Sequence, residues 1–549
     1  METARAPASR PARPSRLKHL TLALACAGTL ASLPAAAELS PWSPSERANE
    51  ALKIRVEAAW RNYRAPRAAH PDNGDEARYA EHFNNYSKGL PHNALGEVEG
   101  HAYDALLKAI ASGKNADFEA IPLGTPNGAK QRNPQAMYAF YLEGTDPHAL
   151  GMPAAPAFSS AWQASEAIEV LWQAVTRDVP FASYDSDPLI AQAAADMSRF
   201  SDFRGPKAGG SVTPQTLFRG IGKDETVGPY ISQFLYKPIP YGAGSVEQKY
   251  QVPVAGNDHL TSYAEWLSIQ NGGNPGGVTS AIMDGSRRHI RNGRDMAQYV
   301  LRDFINQPYL SAALIIGGFN ANALMPNSPV KNSVTQTRDP MWGPNQVLDA
   351  LSRVATMSQS AAWYQKWQVH RRARPEVFFG RVHNHLSGAK SYPINPELFS
   401  SPALAMSYLD HGSYLLPMAT PAGSPLHPSY PAGHALMAGA SVTVMKAFFN
   451  GDFVIPSPVV PNEDGTALVP YSGPALTIES ELNKLASNIS LGRDIAGVHY
   501  RTDGDLGMKL GEDLAISMLQ DMVNTYHEDV SFSFRRFDGT PVVISKTLK

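Results

Sequence analysis

The sequence predicts a mainly α-helical protein built from packed helical bundles. Two observations lead to this prediction. The 44 prolines and 43 glycines gather between long apolar stretches and mark their ends, leaving long polar connections at 204–228, 270–280 and 385–430. Within the stretches, apolar residues recur at helical spacing. The six clearest helical stretches are Ala161–Val175, Met296–Ile316, Val347–Trp367, Ala435–Phe449, Ile478–Ile489 and Leu506–Val523.

Strand signals are confined to the end of the chain. Val530–Phe534 alternates in polarity, Asp538-Gly539 is a turn signal, and Val542–Ile544 is a second strand-forming run. A C-terminal β-hairpin is therefore expected. No sharp linker interrupts the remaining chain, so residues 38–549 are interpreted as one helical unit, with the site-bearing portion at 340–527.

Overall charge and cysteine content exclude several classes of function. The chain has 48 Lys and Arg against 50 Asp and Glu, a formal net charge of −2. This balance does not predict a nucleic acid or an anionic membrane as the main partner. The one cysteine, Cys26, lies in the N-terminal segment, so a mature chain lacking that segment has no disulfide, thiolate ligand or cysteine nucleophile.

The first 37 residues are interpreted as a secretory signal peptide. A basic stretch precedes an apolar run, Leu20–Leu33, and Pro34-Ala-Ala-Ala37 follows as a cleavage site. The alternative is a membrane anchor, but the apolar run is short for spanning a bilayer. The mature protein is therefore expected to be exported, to the periplasm or the medium, with no attachment to a membrane.

Three segments in the last third of the chain combine residues that could bind a ligand or catalyse a reaction. The first carries Lys366 and Arg374, eight positions apart, on a helix that begins near Pro344 and whose regular pattern ends at Pro375. Eight positions are about two helical turns, so both cations can lie on one side. The alternative is an ordinary solvated face or a set of salt-bridge partners.

The second segment, His427-Pro-Ser-Tyr-Pro-Ala-Gly-His434, precedes an apolar helix. Gly433 permits a close approach of the backbone to a ligand. The helix start supplies N–H groups and the positive end of the helix dipole, which together favour an anion. His434 is placed to give or take a proton. The alternative is a loop-to-helix junction with a capping histidine.

The third segment contains Arg493, His499 and Asp503. The spacing of His499 and Asp503 suggests an imidazole that is oriented by a carboxylate, which is a usual arrangement for a ligand or a base. The alternative is a buried histidine beside a surface ion pair. Taken together, the three segments supply cations, backbone donors and two imidazoles, a set that suits a tetrahedral oxyanion such as phosphate or vanadate.

The order Lys…Arg-Pro, Gly-His and Arg-x5-His resembles the superfamily shared by vanadium haloperoxidases and type-2 phosphatidic acid phosphatases. The finer resemblance is to the algal-type vanadium bromoperoxidases and their bacterial relatives. It is carried by His370-Arg-Arg-Ala-Arg-Pro375, by His427–His434, and by Gly492-Arg493 with Gly497-Val-His-Tyr-Arg501. The resemblance covers most of the mature chain.

The resemblance implies an enzyme that oxidises bromide or iodide with hydrogen peroxide and thereby halogenates a small organic acceptor. It implies vanadate as the cofactor, no haem, and a homodimer or larger homo-oligomer. His499 would bind vanadium directly, while His434 and Lys366 would complete the catalytic set. The remaining implied vanadate-binding residues are Arg374, Gly433 and Arg493; His427 and Trp363 would line the halide pocket, and Asp303 and Asp503 would support the histidines.

One departure from the family pattern leaves alternatives open. The family usually has Ser before Gly-His, whereas this chain has Ala432, so a hydroxyl donor to the oxyanion is missing. An exported acid phosphatase using the same pocket is therefore a rival, with His499 attacking phosphorus and His434 protonating the leaving group. A second rival is an exported protein that captures phosphate or vanadate without turnover.

Overall fold

The structure is a computed structural model that describes residues 42–274 and 281–547. The predicted signal peptide, including Cys26, lies outside the described residues, as does 275–280 of the predicted connection 270–280. The chain divides into two compact units, one ending at Val56 and the other Glu57–Lys549. The core and the site described below belong to the second unit.

Helices dominate the described residues, so the predicted mainly α-helical class is confirmed. Within this part of the chain, no helix is both long enough and apolar enough to span a membrane. The helices are α1 (Pro44–Arg64), α2 (Asp75–Arg78), α3 (Gly100–Ser112), α4 (Asn115–Glu119), α5 (Ala161–Val175), α6 (Pro188–Ser198), α7 (Tyr263–Gln270), α8 (Gly293–Arg302), α9 (Gln307–Gly317), α10 (Pro344–Trp363), α11 (Pro375–Leu386), α12 (Pro402–His411), α13 (Gly433–Phe448), α14 (Ile478–Ile495) and α15 (Arg501–Met522).

The core is built around α13, which packs against α10, α14 and α15. Every residue of α13 except His434 is buried, as expected for a helix that is apolar on all sides. All 18 residues of α14 are buried as well, although many are polar. Several of their polar groups are paired inside the core: Lys484 Nζ, for example, donates to Glu481 Oε1 at 2.6 Å.

The start of α14 is fixed by a capping box. Thr477 accepts a hydrogen bond from the Ser480 N–H, and the Ser480 side chain accepts one from the Thr477 N–H. These reciprocal bonds satisfy two backbone donors that a helix start otherwise leaves without partners. The helix then runs to Ile495, six residues beyond the predicted end at Ile489, and so carries Arg493 into the core.

The single helix predicted at Met296–Ile316 was wrong, because the chain forms two helices there. The first, α8, ends at Arg302, and Asp303 takes extended backbone. The second, α9, begins at Gln307 with Pro308 in its first turn. Proline lacks a backbone N–H and cannot occupy a helix interior without strain, so Pro308 starts a helix instead. Asp303 lies in the break between the two helices.

The predicted loop at 385–430 was also wrong in part, because it contains α12. Ser401 caps this helix through its side chain, Pro402 occupies its first position, and Gly412 ends it at φ 69°. Proline at the start and glycine just past the end are ordinary helix signals. The helix was missed because its ten residues are short for a periodicity argument.

The strands form four two-stranded antiparallel sheets among the described residues. The predicted C-terminal hairpin is confirmed, with Phe532 opposite Ile544. The expectation that strands occur only at the end was wrong, since three short pairs precede it. The pairs are β1 (Ile239–Tyr241) with β2 (Gly244–Val246), β3 (Tyr250–Pro253) with β4 (Met283–Arg288), β5 (Val459–Pro461) with β6 (Leu468–Pro470), and β7 (Ser531–Arg535) with β8 (Pro541–Ser545).

The buried ring of His92 predicts acid sensitivity of the fold. Its Nε2 lies 2.9 Å from Ser87 Oγ, and burial, with the Arg381 charge, lowers its pKa to about 3. The ring therefore takes up a proton near pH 6.5 in the unfolded chain but only near pH 3 in the folded chain. Because the unfolded chain binds more protons between these values, the free energy of unfolding should fall as pH drops from about 6.5 towards about 3. The slope contributed by this one ring is at most about 1.4 kcal/mol per pH unit.

Urea unfolding followed by tryptophan fluorescence between about pH 7 and about pH 5 measures this slope. His92→Gln keeps a hydrogen-bonding side chain without the titration, and it should give a shallower pH dependence than the wild type. His101→Gln, at an exposed position of α3, is the matched control. Equal slopes for His92→Gln and the wild type would contradict the prediction.

Candidate active site

A cavity of about 1380 Å³ brings the three predicted segments together. The second segment contributes the helix start at Gly433, and the third contributes Arg493 and His499. The first segment contributes Trp363 but neither Lys366 nor Arg374 to the lining. The predicted site residues that line the cavity are Trp363, Asp303, His427, Gly433, His434, Arg493 and His499.

The first segment does not form the one continuous α-helix that its sequence suggests. Helix α10 ends at Trp363, and a wider π-helical turn, Tyr364–His370, follows it. Arg371 then reverses the chain with φ 41°, and α11 begins at Pro375. The expectation that Lys366 and Arg374 share one side of a helix was therefore wrong. Pro375 starts a helix because its missing N–H is harmless in a first turn.

Arg374 is fully buried and reaches the site from behind the cavity wall. Its Nη1 donates to His499 Nε2 at 2.8 Å and to the Val498 carbonyl at 2.7 Å. Its Nη2 donates to His427 Nδ1 at 3.0 Å. One guanidinium therefore contacts two imidazoles, one from the second segment and one from the third.

The His499 ring is oriented by Asp503. The Nδ1–H donates to Asp503 Oδ2 at 2.9 Å, which leaves the Nε2 lone pair directed towards Arg374 and the cavity. Asp503 also accepts hydrogen bonds from the Tyr500 N–H, from the Ser429 hydroxyl, and from Arg372 Nη1 at 2.8 Å. These donors fix the carboxylate, so the imidazole is held in one tautomer and one orientation.

A second layer of buried polar groups supports Asp503 from behind. Arg372 Nη2 donates to Gln163 Oε1 at 2.6 Å and to Glu166 Oε2 at 3.2 Å, and its guanidinium lies 4.0 Å from the centre of the Tyr500 ring. Glu166 also accepts from the Thr502 N–H at 2.8 Å. This layer is absent from the residues predicted from the sequence. Glu166 lies on a different helix, hundreds of positions away, and no local pattern signals the contact.

Lys366 is fully buried, and its ammonium group is held by the backbone of the second segment. The Nζ donates to the carbonyls of Pro428 at 2.5 Å and Ser429 at 2.8 Å. Its charge lies near enough to the site to lower the pKa values of His427 and His499, in addition to the effect of burial. A direct bond from Lys366 to an oxyanion stays a prediction.

His434 lies at the first turn of α13, where the helix presents its N-terminal N–H groups. Its Nε2 is 3.2 Å from Asp303 Oδ1, and the ring is 18% exposed, into the cavity. Ala432 caps the helix without a side-chain hydrogen bond. Gln359 Nε2 donates to the Gly433 carbonyl at 3.1 Å. A methyl at Gly433 would lie 3.2 Å from Gln359 Oε1, so this position has little room for a side chain.

Arg493 lines the cavity and uses only part of its hydrogen-bonding capacity. Its Nη1 donates to the Val300 carbonyl at 2.7 Å, but its buried Nε has no partner among the described residues. Asp303 Oδ2 is likewise buried without a partner in that part of the chain. A buried guanidinium N–H without a partner is costly, and an anion in the cavity would supply one.

The electrostatics of the site also favour an anion. Burial, reinforced by the neighbouring cations, lowers the pKa of Lys366 well below its usual value and that of Arg374 to about 10. Burial lowers the pKa of Arg493 to about 10 as well. For His499 the pKa is lowered well below normal, first by burial and then by Arg374. A bound anion would relieve this repulsion between like charges.

The proposed halide side of the cavity is aromatic. The rings of Trp363 and His427 lie 4.8 Å apart, and the Trp363 Nε1–H donates to the Arg132 carbonyl at 2.8 Å. Burial lowers the pKa of His427 well below normal, which favours its neutral ring. This wall combines an apolar surface with an imidazole beside a strong cation.

Comparison with known proteins identifies relatives along nearly the whole chain. Residues 348–528 match a family model described as the VCPO second helical-bundle domain. The chain is 35% identical over 521 residues to a vanadium-dependent bromoperoxidase from Ascophyllum nodosum, covering 91% of this chain and 92% of that protein. It is 31% identical over 558 residues to a vanadium-dependent bromoperoxidase from Corallina pilulifera, covering 86% and 92% respectively.

A solved structure extends the similarity to the fold. The homohexameric structure of the second vanadate-dependent bromoperoxidase from Ascophyllum nodosum superposes with a TM-score of 0.87 at 29% identity. The match covers 95% of this chain and 96% of that one. The similarity therefore includes the helices outside the matched second bundle as well as those that carry the cavity.

Proposed function

The chain belongs to the vanadium haloperoxidase family, and from this membership we propose that it uses vanadate and hydrogen peroxide to oxidise bromide or iodide. The observation that carries the proposal is the state of two groups in the cavity. Arg493 Nε is a buried donor without a partner among the described residues, and His499 Nε2 is an unprotonated nitrogen whose lone pair now accepts a hydrogen bond from Arg374. These are the two kinds of group that an oxyanion with an accessible central metal needs.

The other residues of the cavity fit the same group. We propose that Arg374 and Lys366 supply positive charge, that Gly433 supplies a backbone N–H at the helix start, and that His499 Nε2 is the ligand to vanadium. Asp503 holds His499 in the tautomer that leaves Nε2 without a proton. When bound, vanadate supplies Lewis acidity towards hydrogen peroxide.

The protein's own groups handle protons and position the halide. His434 is held by Asp303 and faces the cavity, where its ring can pass a proton to or from an oxygen. The net reaction consumes one proton as bromide and hydrogen peroxide give hypobromous acid and water. His427 and Trp363 border the space we assign to the halide, and the cationic lining, which includes Arg287 and Arg302, attracts anions into the cavity.

One assay separates this proposal from its rival. The purified protein is given bromide and hydrogen peroxide, with and without orthovanadate, and bromination of a phenolic dye is followed. Vanadate-dependent bromination is expected. Hydrolysis of a phosphate ester, with neither bromide nor iodide oxidised, would overturn the proposal and favour the exported acid phosphatase. Binding of vanadate without either reaction would favour the capture protein.

Ala432 gives a gain-of-function prediction. It caps α13 without a side-chain hydrogen bond and is fully buried beside the helix start. Ala432→Ser adds a hydroxyl that can donate to the bound oxyanion, so vanadate should bind about fivefold more tightly, equivalent to about 1 kcal/mol. Equilibrium dialysis with vanadium determination measures this affinity.

The matched control for Ala432→Ser is Ala435→Ser, which places the same hydroxyl one turn further along α13, where the side chain faces Gly507 of α15. It should leave vanadate affinity unchanged. Equal affinities for Ala432→Ser and the wild type would show that water or another donor already fills this place.

Two broader features belong to the same proposal. We infer that the protein assembles as a homo-oligomer, supported by the homohexamer of the Ascophyllum relative; mass measurement by light scattering tests this. We also infer export, on the strength of the basic, apolar and small-residue order of residues 1–37. Detection of the full-length chain in the cytoplasm, with its first 37 residues intact, would contradict export.

A further inference from the structure

A second cavity of about 650 Å³ lies beside the first, and the two share the lining residues Arg132, Gln359, Trp363 and Leu426. We propose that this second cavity, here called the acceptor pocket, binds the organic molecule that is halogenated. We further propose that it selects a small aromatic acceptor carrying a carboxylate. This inference rests on the proposed haloperoxidase function and deepens it.

The shared wall places the acceptor pocket next to the space we assign to the halide. Trp363 lines both cavities, and its ring lies 4.8 Å from that of His427. The bond from its Nε1–H to the Arg132 carbonyl, 2.8 Å long, fixes the indole in this wall. An aromatic ring resting on the wall would therefore lie close to the place where the oxidised halogen is formed.

The size and surface of the acceptor pocket suit an aromatic ring. Its volume falls within the range of about 300–1000 Å³ that is usual for small-molecule sites. The lining is largely carbon, from Trp363, Leu426, Tyr141 and three alanines, Ala129, Ala136 and Ala139. Flat apolar walls that include Trp and Tyr stack well with aromatic ligands.

The charges of the acceptor pocket select an anion. Lys130 and Arg132 line it, both are exposed, and neither forms an ion pair with a described residue. No Asp or Glu of the described chain belongs to the lining. Because the whole chain carries a formal net charge of −2, this positive patch is a local feature and not a reflection of composition. A carboxylate on the acceptor would pair with Lys130 and Arg132 while the ring covers the apolar wall.

The chemistry balances without another co-reactant. Hypobromous acid, the product of the proposed reaction, transfers bromine to a carbon of the aromatic ring. A C–Br bond forms, the O–Br bond breaks, and the ring loses a proton that leaves with the hydroxide as water. Binding next to the place of formation shortens the path of a reactive species and fixes which ring carbon it meets.

Direct binding tests the proposal without turnover. Calorimetry with 4-hydroxybenzoate, phenol and tyramine, in the absence of peroxide and halide, compares an anionic, a neutral and a cationic ring. We expect 4-hydroxybenzoate to bind at least about tenfold more tightly than the other two, and Lys130→Gln/Arg132→Gln to remove that preference. Arg132→Lys should retain most of it. The control, Arg78→Gln, removes an exposed charge that lines neither cavity and should change nothing.

Steady-state bromination supplies the second readout. The double variant should raise KM for 4-hydroxybenzoate about tenfold while kcat changes little, and Ala139→Trp, which fills the pocket, should abolish saturation. Equal binding of the three probes, or rates that never saturate with 4-hydroxybenzoate, would overturn the acceptor pocket. Bromide oxidation by the wild type without any acceptor reports on the proposed function alone, so the two ideas can fail separately.

Discussion

His499→Ala is expected to abolish both vanadate binding and bromination. The ring is 1% exposed, and Asp503 holds it in the tautomer that leaves Nε2 without a proton, beside Arg374. Losing the direct ligand should lower bromination by on the order of 10³-fold or more, since outer partners of a metal ligand alone are worth 10–100-fold. Equilibrium dialysis with vanadate and the dye bromination assay measure the two losses.

Two controls separate the loss of the ligand from damage to the fold. His101→Ala changes an exposed histidine of α3 and should retain full affinity and activity. Thermal unfolding of His499→Ala should remain cooperative, because His499 precedes α15 and the substitution leaves the backbone hydrogen bonds of that helix in place. If His499→Ala binds vanadate as tightly as the wild type, the assignment of the ligand is wrong.

His434→Ala is expected to separate turnover from binding. The ring faces the cavity and is held by Asp303 at 3.2 Å, and we assign it proton transfer and not coordination. Its removal should lower kcat by about 10²–10⁴-fold, which is the usual range for a general acid or base. Vanadate affinity should fall by less than about tenfold, since the cations and His499 remain.

The pH profile of bromination adds a readout that simple misfolding does not produce. Burial, with the charge of Arg493, lowers the pKa of His434, so the wild type loses the protonated ring at a lower pH than an ordinary histidine would. His434→Ala should lack that limb of the profile altogether. Asp303→Asn, which keeps a side-chain acceptor but removes the charge, should shift the limb to lower pH. Full activity in His434→Ala would exclude this role.

The sequence predicts much of the site because its parts are encoded in short segments. The run His427–His434 leads directly into an apolar helix, which begins at Gly433. His499 lies just before the start of α15 and Asp503 in its first turn, so their contact follows from closeness along the chain. These relations need no knowledge of how distant parts of the chain meet.

Tertiary contacts account for what the sequence does not predict. The pairing of Arg372 with Asp503 and Glu166 joins residues separated by 131 and 206 positions, and it depends on Glu166 of α5 reaching the start of α15, where it accepts from the Thr502 N–H. Asp303 lies opposite His434 because Pro308 breaks the expected helix. In the wall shared by the two cavities, the Arg132 carbonyl accepts a hydrogen bond from Trp363. No pattern of side chains predicts where that carbonyl lies.

The π-helical turn at Tyr364–His370 makes this stretch of chain sensitive to length. A π turn closes its hydrogen bonds over one more residue than an α-helix does, so it already accommodates one residue that a regular helix would not. Inserting a further residue would rotate everything downstream by about 100° about the helix axis. Arg371, at φ 41°, would lose its reversal, and Arg374 would turn away from His427 and His499. An insertion of one residue within 364–370 should therefore be as damaging as losing a catalytic side chain, whereas the same insertion in the exposed stretch 387–389 alters only a surface connection.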